Sequence, residues 1–236
     1  MRHIKNLLSI ILPCMFLCAA PAKADVNTYT VRVDEFSKIK VMNDIDVRYV
    51  CNPDSAGYAV FTCEDRFADA FLFNNKGGTL KVAVNTDYTH ISDQLPEVTL
   101  YSTFLSSAEN QSKYTLNIES VAPCPEISFK QVGNGSITAD GIEATKVKAR
   151  IATGNGIITL SGDADSASFD MIGTGRIIAD SLMANEVTCT VFGTGSIGCW
   201  PIDKLSVKGM GSTTVYYKGI PATIKKSGIA KIEPMP

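Results

Sequence analysis

Gly133-Asn134-Gly135-Ser136-Ile137-Thr138-Ala139 is the stretch from which the fold is read. The same Gly-x-Gly begins again at Gly154, Gly173, Gly193 and Gly209, at intervals of 21, 19, 20 and 16 residues, and a worn copy follows at Ser227-Gly228-Ile229. A period near 20 with so little helix-forming composition marks a solenoid of β-coils. Four residues on from each first glycine stand Ile137, Ile158, Ile177, Ile197 and Thr213. Six on stand Ala139, Leu160, Ala179, Cys199 and Val215. Side chains two apart on a strand share a face, so these positions predict two neighbouring inward ladders. Seven on, Asp140, Ser161, Asp180, Trp200 and Tyr216 form a row expected to face outward.

A second strand in each coil supplies Val147, Ala149 and Ile151, then Phe169 and Met171, Cys189 and Val191, and Leu205 and Val207. No coil buries its own apolar face, so stability has to come from its neighbours. Glycine at both ends of the motif predicts corners at φ > 0, with Asn134 and Asn155 tolerating the same conformation between them.

Ahead of the coils the pattern is still β. Val31 and Val33, Ile39 and Val41, then Ile45, Val47 and Tyr49 alternate with polar neighbours, the period-2 signature of half-buried strands. Arg66 to Phe73 has weak helical composition, and Asn74 to Gly78 is a turn before the strand of Leu80, Val82 and Val84. Asp87 to Pro96 and Ser102 to Ser112 read as polar loops, the second exposed. Strands resume at Leu116, Ile118, Ile127 and Phe129. The expected organisation is all-β: one domain over 25–236, with an irregular β entry half over 25–125 and regular coils over 126–233.

Residues 1–24 predict a secretory signal. Arg2, His3 and Lys5 are basic, Leu7 to Ala20 is apolar, and Ala22-Lys23-Ala24 is a cleavage site. The expectation is export to the periplasm or cell surface. Three of the 22 Lys and Arg leave with the signal and none of the 24 Asp and Glu, which gives a mature balance of −5. That mild acidity argues against a nucleic-acid surface and a polybasic anchor, and no later apolar run reaches the length of a transmembrane segment.

Five cysteines follow the signal: Cys51, Cys63, Cys124, Cys189 and Cys199. Export permits disulfides, and Cys51 and Cys63 flank the turn at Asn52-Pro53-Asp54 closely enough to bridge. With no C-x-x-C and with His90 as the sole mature histidine, neither zinc nor another cofactor is expected.

Gly193-Thr194-Gly195-Ser196-Ile197-Gly198 matches a dinucleotide fingerprint, but that site needs a helix to follow, and Cys199-Trp200-Pro201 follows instead. Asp140 and Asp180 on one outward row are the candidates for carboxylate chemistry on polysaccharides. Trp200 and Tyr216 are candidates for an aromatic sugar platform or for the cap of the terminal coils.

The run Val33-Asp34-Glu35-Phe36-Ser37-Lys38-Ile39-Lys40-Val41, then Ile45-Asp46-Val47, then Gly77-Gly78-Thr79-Leu80-Lys81-Val82, leads into the serial coils. With Gly209-Met210-Gly211, Tyr216, Gly219 and Pro221 behind it, this pattern resembles the head GIN domain family. These are exported proteins common in Bacteroidetes that carry an auto-transporter adhesin label. The resemblance runs from Asp34 to Glu233. It implies a right-handed parallel β-helix of short strands, and it transfers no catalytic or cofactor-binding residue. The expected function is non-enzymatic: a ladder surface presented at the cell envelope to an unidentified protein or glycan. The alternatives are a polysaccharide-acting enzyme and a periplasmic scaffold or sensor.

Overall fold

A computed structural model of the chain describes residues 26–235; the signal sequence expected over residues 1–24 lies outside them. Its strands are β1 (Val26–Arg32), β2 (Lys38–Val41), β3 (Val47–Cys51), β4 (Tyr58–Glu64), β5 (Phe71–Lys76) and β6 (Thr79–Val84). Then come β7 (Val98–Ser102), β8 (Ser107–Asn110), β9 (Thr115–Ile118), β10 (Cys124–Val132), β11 (Ser136–Thr153) and β12 (Asn155–Met171). The chain closes with β13 (Thr174–Val191), β14 (Thr194–Gly209), β15 (Ser212–Tyr217), β16 (Thr223–Gly228) and β17 (Lys231–Pro234).

The strands stack in parallel as a β-solenoid. From β11 to β14 each long strand runs along one wall, turns a corner at a register shift, and continues along a second wall. The first wall carries two apolar ladders, and one of them runs Val98, Val47, Leu116, Ile137, Ile158, Ile177, Ile197 and Val215, all buried. On the second wall Leu80, Ile39, Ala108, Phe129, Ala149, Phe169, Cys189 and Val207 stack the same way. Phenylalanine alternates there with alanine, so each large ring spreads over a small neighbour and the core keeps its density. Each fully buried aliphatic side chain contributes about 1.5–3 kcal/mol.

The entry half supplies rungs of its own, out of chain order. The β2–β3 rung lies between β6–β7 on one side and β8–β9 on the other. Beyond β6–β7 the stack ends in antiparallel strands, β5 against β6 and β4 against β7, with β1 outside β4. Tyr29, Phe61, Phe71 and Phe73 pack their rings together and close that end.

Several local expectations change. Ser102 to Ser112 is not an exposed loop: it contains β8, and Ala108, Asn110 and Ser112 are buried. The amide of Asn110 donates to the Tyr114 and Ser136 carbonyls, each at 2.9 Å, and its oxygen accepts the Ser112 N–H at 2.9 Å. A buried polar side chain with all these partners is tolerated in the core. Of the weakly helical stretch only Arg66 and Phe67 are helical, within the 3-10 turn Asp65–Phe67, before β5 begins. In the last coil Ser212 pairs with Thr194, so Gly211 rather than Gly209 stands on Gly193. Val215 and Tyr217 therefore continue the two ladders assigned to Thr213 and Val215.

The corner glycines are required mainly for space. A Cβ on Gly135 would lie 2.1 Å from the Ser112 carbonyl oxygen, although Gly135 is outside the left-handed region. At Gly175 both demands meet, with φ at +143° and a Cβ position 2.0 Å from the Gly156 carbonyl oxygen. Asn134 and Asn155 do not adopt positive φ. The expected Cys51–Cys63 bridge is absent, and all five cysteines of the described residues are free thiols. The reason is topological: β7 lies between β3, which carries Cys51, and β4, which carries Cys63.

Candidate binding surface

The row of outward residues read from the sequence is broken at the corner. Ser161 donates to the Asp140 carboxylate at 2.8 Å, so those two coils do stack. Ser161 then pairs with Ser181, and Asp180 falls in the register shift. Trp200 pairs with Met183, and Tyr216 stands on Gly198. Asp140 and Asp180 are thus not members of one continuous row, and neither are Trp200 and Tyr216. Trp200 is half-buried, with the Lys218 ammonium 3.8 Å over its ring and Gly219 close to its indole nitrogen. Its ring therefore lies against the Lys218–Gly219 segment.

The outward side chains of the walls are joined rung to rung. Thr115 and Ser136 share a hydroxyl hydrogen bond at 2.9 Å, Thr138 donates to Asn117 at 2.9 Å, and Ser128 to Ser107 at 3.0 Å. Glu109 sits between Lys40 at 3.1 Å and Lys130 at 3.3 Å, while Glu186 faces Lys204 at 3.0 Å. Burial pushes the Glu109 carboxyl up, but hydrogen bonds from Gln111, Lys40 and Lys130 outweigh it and hold the group below the ordinary glutamate range. Deeper in, burial pushes the Tyr49 phenol up to about 12, and its hydroxyl pairs with Ser102 at 2.9 Å. These pairs are pre-ordered, since each side chain in them is held by one a rung away.

The glycine corner adds a feature that the sequence reading missed. The residue that opens the turn in four successive coils is Ile172, Phe192, Met210 and Ile229, and these are 42, 57, 67 and 74 % exposed. The N–H groups of Ile172, Phe192 and Ile229 each donate to the preceding rung, to Ile151, Met171 and Gly209 respectively, so the side chains are stacked. At a rung spacing near 4.8 Å this is an apolar ridge about 14 Å long. Its sequence signal is a large apolar residue beside a corner glycine, just ahead of it at Ile172, Phe192 and Met210 and just after Gly228 at Ile229, where a turn is normally polar.

Across the corner from the ridge is an open hollow of about 470 Å³ lined by Asn155, Ile157, Thr174, Arg176 and Ser196 over a floor of Gly175 and Gly195. A second, larger hollow of about 720 Å³ lies at the other corner, where Glu143, Asp163 and Asp165 meet Cys124 and Met183. Among the described residues no group of three or more His, Cys, Asp or Glu is placed to hold a metal ion. No helix among them is long and apolar enough to cross a membrane.

The stacked solenoid, with its laddered walls, glycine corners and antiparallel entry, has counterparts among known proteins. The model of the family described as "Putative auto-transporter adhesin, head GIN domain" matches residues 35–221, and the chain belongs to that family. The fold recurs in a "putative adhesin" from Bacteroides fragilis NCTC 9343, with a TM-score of 0.79 and 21% identity over 90% of this chain and 98% of that one. A "putative lipid binding protein" from Parabacteroides distasonis ATCC 8503 gives 0.65 and 20% identity, over 90% and 97%. A "putative adhesin" from Parabacteroides merdae ATCC 43184 gives 0.63 and 20% identity, over 89% and 96%. At such identities the likeness is one of fold. No curated protein matches the sequence.

Proposed function

We propose that this is an exported, non-enzymatic protein that presents a binding surface at the cell envelope and acts in adhesion. The observation that supports this reading is the ridge of Ile172, Phe192, Met210 and Ile229 beside the Arg176 hollow. An apolar stripe with a polar rim is the anatomy of a protein- or glycan-binding patch. The adhesin descriptions of the family and of two fold relatives point the same way. A polysaccharide-cleaving role for Asp140 and Asp180 would need the two carboxylates to act across one bond, and the register shift between their rungs works against that.

Fractionation of the producing cells, with protease added to intact cells, tests the placement. Surface cleavage with an intact periplasmic marker is expected. Attachment of purified residues 25–236 to protein- and glycan-coated surfaces tests the patch, and Phe192→Asp is expected to lower retention about tenfold or more, as for a central apolar anchor, with an unchanged melt. Unaltered retention in Phe192→Asp would remove the ridge from the function.

A further inference from the structure

The solenoid has two unlike ends, and the difference is hidden in the overall charge of −2. The entry end is closed by the aromatic rings and antiparallel strands described above. Residues 52–97, which build much of it, carry seven Asp and Glu against three Lys and Arg. The other end is the rung of β16 and β17. Residues 204–235 carry six lysines against one glutamate. The whole-chain acidity that argues against a membrane surface is therefore an average over two opposed tips.

Among the described residues the rung of β16 and β17 also has a free edge. β16 pairs with the end of β14 and β17 with β15, and no strand of the described residues lies beyond either. All six residues of β16 are exposed. Ile224 and Lys226 occupy the inward register, over the buried Leu205 and Val207. Ile220, in the connection between β15 and β16, is 97 % exposed, and Ile229 stands at the glycine corner of the same rung. Isoleucines therefore project at both corners of one plane, with Lys225 and Lys226 on the strand between them.

Three kinds of partner fit a basic strand edge. A second copy meeting it basic end to basic end would set Lys225 and Lys226 against their counterparts, which is repulsive; one meeting it with its acidic entry end satisfies the lysines but sets Ile220 and Ile229 against a charged face. An acidic strand added along β16 would satisfy the edge and the lysines but leave Ile220 and Ile229 in water at the corners. A flat anionic surface with an apolar layer beneath it meets all of these groups at once. That is the chemistry of an acidic lipid leaflet, in which basic side chains lie at the headgroups and apolar ones enter the acyl boundary. We propose that the terminal rung docks on an anionic lipid bilayer, with Ile220, Ile224 and Ile229 entering the boundary and Lys225 and Lys226 against the phosphates. The walls and most of the ridge then stand away from the membrane, available to a second partner.

The test is cosedimentation of residues 25–236 with vesicles of phosphatidylcholine alone or of equimolar phosphatidylcholine and phosphatidylglycerol. Binding is expected with the anionic vesicles only, and it should weaken steeply as salt rises. Lys225→Glu with Lys226→Glu should cost about tenfold or more in partition. Ile220→Asp, on a side chain almost wholly in solvent, should weaken partition without changing the melt, so it carries the test if the lysine pair variant unfolds. Lys76→Glu at the closed end should have no effect. Equal partition to both vesicle types, no partition to either, or full partition by Ile220→Asp overturns the proposal. Salt-sensitive self-association that outcompetes vesicles also overturns it, because the basic end would then serve the acidic end of another copy.

Discussion

Three glycines separate the two reasons a coil corner can demand that residue. Gly141 has φ of +64° and nothing within 4 Å of its Cβ position. An alanine there pays only for the left-handed backbone, about 1–2 kcal/mol, partly offset by about 0.4–1 kcal/mol from a stiffer unfolded chain. A net loss of about 0.5–1 kcal/mol is expected. Gly135 poses the opposite case. Its backbone lies outside the left-handed region, but a Cβ would sit 2.1 Å from the Ser112 oxygen and 2.5 Å from the Tyr114 oxygen, where real contacts stay beyond 3.0 Å. Both carbonyls belong to the neighbouring coil, whose strands are held by further rungs, so the upper part of the overpacking range, about 3 kcal/mol, applies. Gly175 combines a φ of +143° with a 2.0 Å approach to the Gly156 oxygen, and about 4 kcal/mol is expected. Such a loss is a large fraction of the about 5–15 kcal/mol that holds a domain together. Urea titrations followed by circular dichroism and by the single tryptophan, Trp200, would order the alanine variants Gly141, Gly135, Gly175 from mild to severe. If Gly135→Ala unfolds within about 0.5 kcal/mol of Gly141→Ala, steric closure between rungs is not what selects glycine here.

Other outcomes follow from the same structure. Residues 25–236, denatured without reductant, should titrate five thiols; a lower count would place a disulfide where the structure has none. Glu109 is an acid held below its ordinary pKa, so its contribution is complete above the unfolded glutamate value of about 4.3 and is lost as pH falls through the lower folded value. The thermal melt of Glu109→Gln should therefore depend less on pH below about 4 than that of the parent, and identical pH profiles would count against the assignment. Trp200→Ala should cost about 1–2 kcal/mol through lost packing and the Lys218 contact, and glycan retention should be unchanged. Loss of retention with an unaltered melt would make the indole a platform rather than a cover.

The architecture was legible where one inward position repeats in the same chemistry. Isoleucine four places after the first glycine, at Ile137, Ile158, Ile177 and Ile197, is one unbroken buried row. The reading slipped where the spacing changed without a visible cause. Gly209-Met210-Gly211 offers two glycines as the coil start, and only the pairing of Ser212 with Thr194 shows that Gly211 is the equivalent of Gly193. It also failed at Ser102 to Ser112, because the inward residues of β8 are Ala108 and Asn110, and an asparagine satisfied by backbone partners carries no apolar signal. The outward row was hardest. Asp140 and Asp180 are equally placed in sequence, but the corner between the walls absorbs a different number of residues in successive coils, so equal counting does not give equal position. The ridge was overlooked for a simpler reason: each of its residues is alone in its turn, and the patch exists only after stacking.

The placement of the β2–β3 rung between two later ones divides how the molecule must assemble. From β10 onward each coil meets its neighbour about 20 residues away, so the stack can grow and fray one step at a time in the manner of a zipper. The β2–β3 rung has no such option. It waits for β6 and β7 on one face and for β8 and β9 on the other, and closing those distant segments costs chain entropy before any contact repays it. A chain released amino end first would therefore leave one face of the β2–β3 rung uncovered until β9 emerged. Removing residues from the carboxyl end would shorten the stack, while removing them from the amino end past β1 would extract a plank from within it.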